Sequence, residues 1–193
     1  MTPLDFIKLV QRRLNVADDG NPGLLTIAAL DAKLPAVSAP AAAQDLSTGI
    51  DARSEKNIQT LLPQVRSYAR MLITKAKEAG IEIKITSGTR TYEEQAALYA
   101  QGRTKPGPIV TRAKPGSSWH NHGCAFDFSV FQDGKYVPES PLYKKVGAIG
   151  KALGLTWGGD FQSITDEPHF ELTNGKTLAQ ARALHDQGKN VFS

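Results

Sequence analysis

Four histidines occur in the 193 residues, and two of them, His120 and His122, fall in SSWHNHGCAFDFSVF (117–131) beside the only cysteine, Cys124, and the carboxylate of Asp127. His120 and Asp127 stand seven residues apart with Gly123 between them. That spacing lets a loop offer an imidazole while the following strand offers a carboxylate from one of its faces. A catalytic zinc site uses three protein ligands and keeps a fourth position for water. His169 in DEPHFEL supplies the third ligand, because Pro168 stiffens the approach and the strand that follows fixes the ring. Two histidines and one carboxylate suit Zn2+. A single cysteine allows neither an internal disulfide nor a thiolate zinc knot, so any metal must be held by His and carboxylate groups.

Asp166 lies three residues before His169, close enough for its carboxylate to reach a water at the metal, take its proton and pass it to a leaving amine. Glu167 is the neighbouring competitor for that role. Arg90 is a fixed cation at the mouth of the sheet, suited to steady the oxyanion formed when an amide is attacked, or else a surface salt-bridge partner. His122 reads as a loop residue at the cleft edge, Cys124 as an inert buried thiol, and His185 as a solvated helix residue. Trp157 in LTWGGDF is either core packing or a wall over the substrate, and Gly158 with Gly159 permits close backbone approach there. Trp119 is open to the same two readings.

The elements that must carry these groups follow from periodicity. Residues 54–79 place Ile58, Leu61, Leu62, Val65, Tyr68, Leu72 and Ile73 at helical spacing, interrupted by Pro63, which can open a helix at its first turn, and closed by Gly80. IEIKITSG (81–88) alternates with period two, as a half-buried strand does. TYEEQAALYAQ (91–101) predicts a helix with a Thr91/Glu94 capping box, which sets Arg90 at a strand-to-helix junction. Residues 102–118, with three prolines and three glycines, predict an irregular loop. CAFDFSVF predicts a strand, YKKVGAIGKALGL a helix and PHFEL a short last strand. The mixture lacks a βαβ repeat and points to an α+β fold, a small antiparallel sheet with flanking helices.

Ahead of that unit, residues 1–36 read as two short helices around a turn-rich DDGNPG, and 37–48 as an Ala/Pro/Ser linker before a domain spanning 49–193. The order DGNPGLLTIAAL resembles the turn-and-helix signature of small helical peptidoglycan-binding modules; a hairpin that merely packs on the main domain is the alternative. The net charge of +4 is spread without a run of five like charges, which argues against a nucleic-acid partner. The N-terminal stretch lacks a secretory pattern and no run of about 18 apolar residues occurs. The expectation is a monomer without stable membrane insertion, made in the cytoplasm and reaching any wall substrate only through lysis or a helper.

Ser118, His120, Gly123, Ala125 and Asp127, in that spacing, together with SGTRTYEEQAALYAQGRT, LGLTWGGDF and DEPHFEL, resemble the zinc peptidases of the D-Ala-D-Ala peptidase superfamily, which includes the hedgehog signalling domain. The resemblance covers roughly residues 49–172. It is nearest to the L-alanyl-D-glutamate endopeptidases of phage endolysins and bacterial autolysins, in which an aspartate stands three before the last histidine, as Asp166 does here. It implies His120, Asp127 and His169 as zinc ligands, Asp166 as general base, Arg90 as transition-state stabiliser, Ser118 as a substrate contact, and bacterial peptidoglycan as partner. The expected reaction is hydrolysis of the L-Ala to D-Glu amide of the stem peptide. A D,D-carboxypeptidase or dipeptidase acting at D-alanine ends is one alternative, and a zinc-containing wall-binding domain without turnover is another.

Overall fold

The computed structural model describes residues 49–193 apart from Ser163. The helical module expected over 1–36 and the linker over 37–48 lie outside the described residues.

Pro63 divides the first helical stretch into two elements, α1 (Ala52–Gln59) and α2 (Pro63–Glu78), because proline fits the first turn of a helix and not its interior. Asp51 caps α1 by accepting from the Ser54 amide at 3.0 Å. The buried Ser54 hydroxyl then accepts from the Ile85 amide at 2.9 Å, which ties α1 to the first strand. Helix α2 buries Val65, Ala69, Leu72 and Ala76, one stripe at helical spacing. Strand β1 (Glu82–Ser87) follows the turn at Gly80 and turns Ile83 and Ile85 inward. Helix α3 (Tyr92–Ala100) opens on the expected capping box: the Thr91 hydroxyl accepts from the Glu94 amide at 3.1 Å, and the Glu94 carboxylate accepts from the Thr91 amide at 2.8 Å.

A 3₁₀ turn, Trp119–His122, precedes β2 (Ala125–Gln132), and Gly123 joins them at φ +68°, a left-handed conformation that favours glycine. The remaining elements are β3 (Lys135–Val137), α4 (Leu142–Ala152), β4 (Thr156–Trp157), β5 (His169–Glu171) and α5 (Leu178–His185). Each pairing among these five strands is antiparallel, in the order β1-β2-β5-β4, with β3 paired to the far end of β2. The expected α+β architecture is therefore present.

Side chains alternate across a strand, and this sheet uses both faces. Phe126, Phe128 and Val130 of β2, Phe170 of β5, and Ile83 and Ile85 of β1 pack with α1, α2 and α4 in the main core. The opposite face carries Asp127, His169 and Glu171. A smaller apolar cluster of Trp119, Cys124, Ala125, Ala181 and Val191 lies beneath α5.

Candidate metal centre and its cleft

Strand register brings the site together. Asp127 pairs with His169 across β2 and β5 and with Ser87 across β2 and β1, so three polar residues meet on the face away from the helical core. His120 comes from the 3₁₀ turn, which Ser118 caps with its hydroxyl near the His120 amide at 3.4 Å. The Arg90 amide donates to the His120 carbonyl at 3.0 Å, joining the turn to the junction between β1 and α3.

His120 Nε2, His169 Nδ1 and Asp127 Oδ1 lie 3.0 to 3.2 Å from one another. Ligand atoms ~2.0 Å from a tetrahedral zinc stand about 3.3 Å apart. The hydrogen bonds behind the rings fix which nitrogens face inward. His120 Nδ1 lies 2.7 Å from the Gly88 carbonyl, which only accepts, so in the neutral ring Nδ1 carries the proton and Nε2 keeps its lone pair. His169 Nε2 lies 3.0 Å from Glu171 Oε1, so in the neutral ring Nδ1 keeps its lone pair. With both rings neutral, two imidazole lone pairs and a carboxylate oxygen thus converge on one point, an arrangement that repels itself unless a proton or a metal cation fills it. Outer partners of this kind, a carbonyl and a carboxylate, orient metal-binding imidazoles. Among the described residues no other group of three His, Cys, Asp or Glu converges in this way.

The charges respond to that crowding. Burial by itself works to raise the Asp127 carboxyl, but hydrogen bonds from His120 and His169 and their charge hold it well below the usual carboxylate range. Burial by itself lowers the His169 imidazole, and the bonded carboxylates Asp127 and Glu171 together outweigh it, raising the ring to about 9 when only protein groups surround it. Asp166 is pushed up by burial and by the negative charge of Asp127, against the opposing pull of His169, His120 and Arg90. Its main chain is fixed on both sides: the Asp166 amide donates to the Gly158 carbonyl at 2.9 Å, and the Asp166 carbonyl accepts from the His169 amide at 3.1 Å.

These groups form the floor of a cleft of about 760 Å3 whose walls include Arg90, Arg112, Ser118, Trp119, Phe161 and Ile164. Arg90 Nη2 donates to Asp127 Oδ2 at 2.7 Å and to Ser87 Oγ at 3.0 Å, leaving Oδ1 of the same carboxylate for the metal position. Ser118 and Asp166 both line the cleft. Trp157 does not: it lies in the core with its Nε1 donating to the Glu167 carbonyl at 2.8 Å, so the core reading of this residue is the one the structure adopts. Trp119, by contrast, is buried on one side and lines the cleft on the other.

His122 is also placed differently from the expected cleft edge. It is buried behind the 3₁₀ turn near the Gly116 carbonyl and lines a separate depression with His185. His185 stacks on the Tyr92 ring at 5.0 Å while remaining half exposed. Burial pushes the Cys124 thiol up to about 12, which fits the expectation of an inert side chain. Sequence reasoning missed Glu171, whose signal was present: a carboxylate two residues after a strand histidine shares its face.

A family profile described as D-alanyl-D-alanine carboxypeptidase matches residues 111–172. The chain is 40% identical over 122 residues to the peptidoglycan L-alanyl-D-glutamate endopeptidase CwlK of Bacillus subtilis (strain 168), covering 58% of this chain and 73% of that protein. It is 35% identical over 123 residues to the L-alanyl-D-glutamate peptidase of Listeria phage A118, covering 62% of this chain and 40% of the phage protein. Among solved structures it is similar to the L-Ala D-Glu endopeptidase ChiX of Serratia marcescens, with a TM-score of 0.49 and 22% identity over 63% of this chain and 87% of that one.

Proposed function

The chain belongs to the family of peptidoglycan L-alanyl-D-glutamate endopeptidases, and on that premise we propose that it is a zinc metallopeptidase that hydrolyses the L-Ala to D-Glu amide of the peptidoglycan stem peptide. The observation that carries this reading is the convergence of His120 Nε2, His169 Nδ1 and Asp127 Oδ1 beside a carboxylate of raised proton affinity, Asp166, in the same open cleft.

His120, Asp127 and His169 are the groups that would hold zinc. Zinc at this position supplies Lewis acidity toward a water and a substrate carbonyl. Asp166 takes the proton of the attacking water and returns it to the departing D-Glu amine, a transfer that needs a carboxylate with a raised proton affinity. Arg90, already fixed through Asp127 and Ser87, presents positive charge to the cleft where the amide oxygen becomes negative. Ser118 at the cleft wall is positioned for a hydrogen bond to the substrate backbone.

Digestion of purified peptidoglycan, with mass spectrometry of the fragments, examines the reaction. Stem peptides beginning at D-Glu, lost on chelation and restored by zinc, are the expected products. The match to a profile described as D-alanyl-D-alanine carboxypeptidase favours a second reading, release of terminal D-alanine, and the same digest separates the two. Asp166 argues against a binding domain without turnover, because such a domain has no use for a cleft carboxylate of raised proton affinity beside the metal position.

The phage relative supports a role in lysis, the enzyme being held in the cytoplasm of the producing cell until a separate protein opens the membrane. No described helix is long and apolar enough to cross a membrane. DGNPGLLTIAAL supports residues 1–36 as a wall-binding module, and nothing in the described surface calls for more than a monomer in solution. Fractionation of the producing cell and pull-down on insoluble walls are the corresponding measurements.

A further inference from the structure

The floor of the cleft is rich in carboxylates, with Asp127, Asp166 and Glu171 all lining it. Two arginines line the same cleft, Arg90 and Arg112. Arg90 is engaged by Asp127 and Ser87. Arg112 is exposed and, among the described residues, has neither a hydrogen-bond acceptor nor an ion-pair partner.

The backbone that carries Arg112 is held firmly although it belongs to an irregular loop. Gln95, fully buried on α3, donates through Nε2 to the Ala113 carbonyl at 2.8 Å and toward Thr111 Oγ1 at 3.4 Å. The Ala113 amide donates to Thr111 Oγ1 at 3.2 Å, and Arg103 Nη1 donates to the Thr111 carbonyl at 3.1 Å. Arg103 is itself seated over the Tyr99 ring at 3.9 Å. Both neighbours of Arg112 are therefore fixed from α3, while its guanidinium is left to face the cleft.

A glutamate within a peptide uses its amine and one carboxyl for chain bonds and leaves the other carboxyl free. In a substrate cleaved on the amino side of D-Glu, that free carboxylate belongs to the residue whose amine departs. It enters a cleft floored by three carboxylates and needs a cation to be tolerated there. We propose, resting on the reaction assigned above, that Arg112 anchors the free carboxylate of the D-Glu residue and so makes the enzyme selective for the acidic stem over its amidated form. The planar guanidinium can grip a carboxylate through two parallel hydrogen bonds, which a carboxamide cannot reciprocate.

The experiment compares two synthetic stem peptides that differ only at this group, carboxylate in one and carboxamide in the other. The quantity read is the ratio of their kcat/KM values in the full-length zinc-loaded enzyme and in Arg112→Ala and Arg112→Lys. The expected result is a wild-type preference for the carboxylate that falls by about 10- to 100-fold in Arg112→Ala, the range of one charge-assisted hydrogen-bonded pair, with Arg112→Lys in between. Zinc content and Tm of Arg112→Ala should match the wild type, since the side chain is exposed. A ratio that stays the same in Arg112→Ala, whether or not both activities fall, overturns the anchor. If the wild-type enzyme leaves the L-Ala to D-Glu bond of both peptides intact, the reaction itself fails and the anchor with it, a result distinguishable from loss of selectivity alone.

Discussion

Asp127 and His169 sit opposite each other in the β2–β5 ladder, with Asp127 Oδ1 3.0 Å from His169 Nδ1. Directly opposed residues on antiparallel strands project to the same face ~5 Å apart. Two of the three ligand positions are therefore set by strand register alone, and a one-residue slip of β5 against β2 would turn His169 toward the aromatic core and away from Asp127. The site is as rigid as the sheet that also buries Phe126 and Phe170 on its other side.

That rigidity continues outward through Glu171. Its carboxylate accepts from His169 Nε2 at 3.0 Å and so holds Nδ1 toward the metal position. Glu171→Ala should lower zinc affinity by about 10- to 100-fold. Dialysis against graded chelator followed by metal analysis measures this. Activity should recover in excess zinc, which a misfolded variant would not show.

Asp166 should behave as a base whose ionised form is required. Asp166→Asn should keep zinc and fold while kcat falls by about 100- to 10,000-fold. Burial raises this carboxyl above its ordinary value. A raised base stays protonated to higher pH, so wild-type kcat/KM should fall on the acid side at a pH above the ~3.9 of a free aspartate. A pH–rate profile checks the position of that limb, and an acid limb at or below the free-aspartate value counts against Asp166 as the base.

Much of the site is readable from residue types because its spacing is local. His120, Gly123 and Asp127 lie on one turn-and-strand segment, and the Thr91/Glu94 pair announces the helix that follows Arg90. The rest depends on contacts between distant segments. Nothing local tells whether Trp157 faces a cleft or a core; the approach of Gly147 from α4, where an added Cβ would come within 2.5 Å of the Trp157 ring, decides it. The 3₁₀ turn that buries His122 is likewise fixed from outside, by α5 and the Gly116 carbonyl. Strand β3 escaped notice although Asp133-Gly134 stands at its hairpin, both residues with positive φ, the pair such a turn demands.

Metal and proton compete at His169, and the competition has a sign. With protein groups alone the imidazole is raised to about 9, so its protonation stabilises the fold fully below the unfolded value near ~6.5 and is lost as pH rises through about 9. Zinc requires the same nitrogen unprotonated, so its binding strengthens over that interval. The Tm of chelator-treated protein should therefore fall between about pH 6.5 and 9 while the increment in Tm from added zinc grows. Calorimetry of both forms across this range measures the two slopes, and parallel slopes would exclude His169 as a ligand.

Gly158 offers a way to move the base without touching its side chain. A Cβ built there would lie 2.4 Å from the Asp166 carbonyl oxygen and 2.9 Å from His169 Cβ, too close for either contact to survive unchanged. The first contact is with a main-chain oxygen that no rotamer change can move, so relief requires the 166–169 segment to shift, straining the bond from the Asp166 amide to the Gly158 carbonyl. Gly158→Ala should therefore cost about 1–3 kcal/mol of stability and lower kcat about 100-fold, since a displacement of ~1 Å at a positioned group has that effect. Zinc content should fall less than activity, because His120 and Asp127 are untouched. Thermal melting, metal analysis and peptide hydrolysis on one preparation separate the three quantities, and a variant with normal kcat would mean that Asp166 needs no fixed position relative to His169.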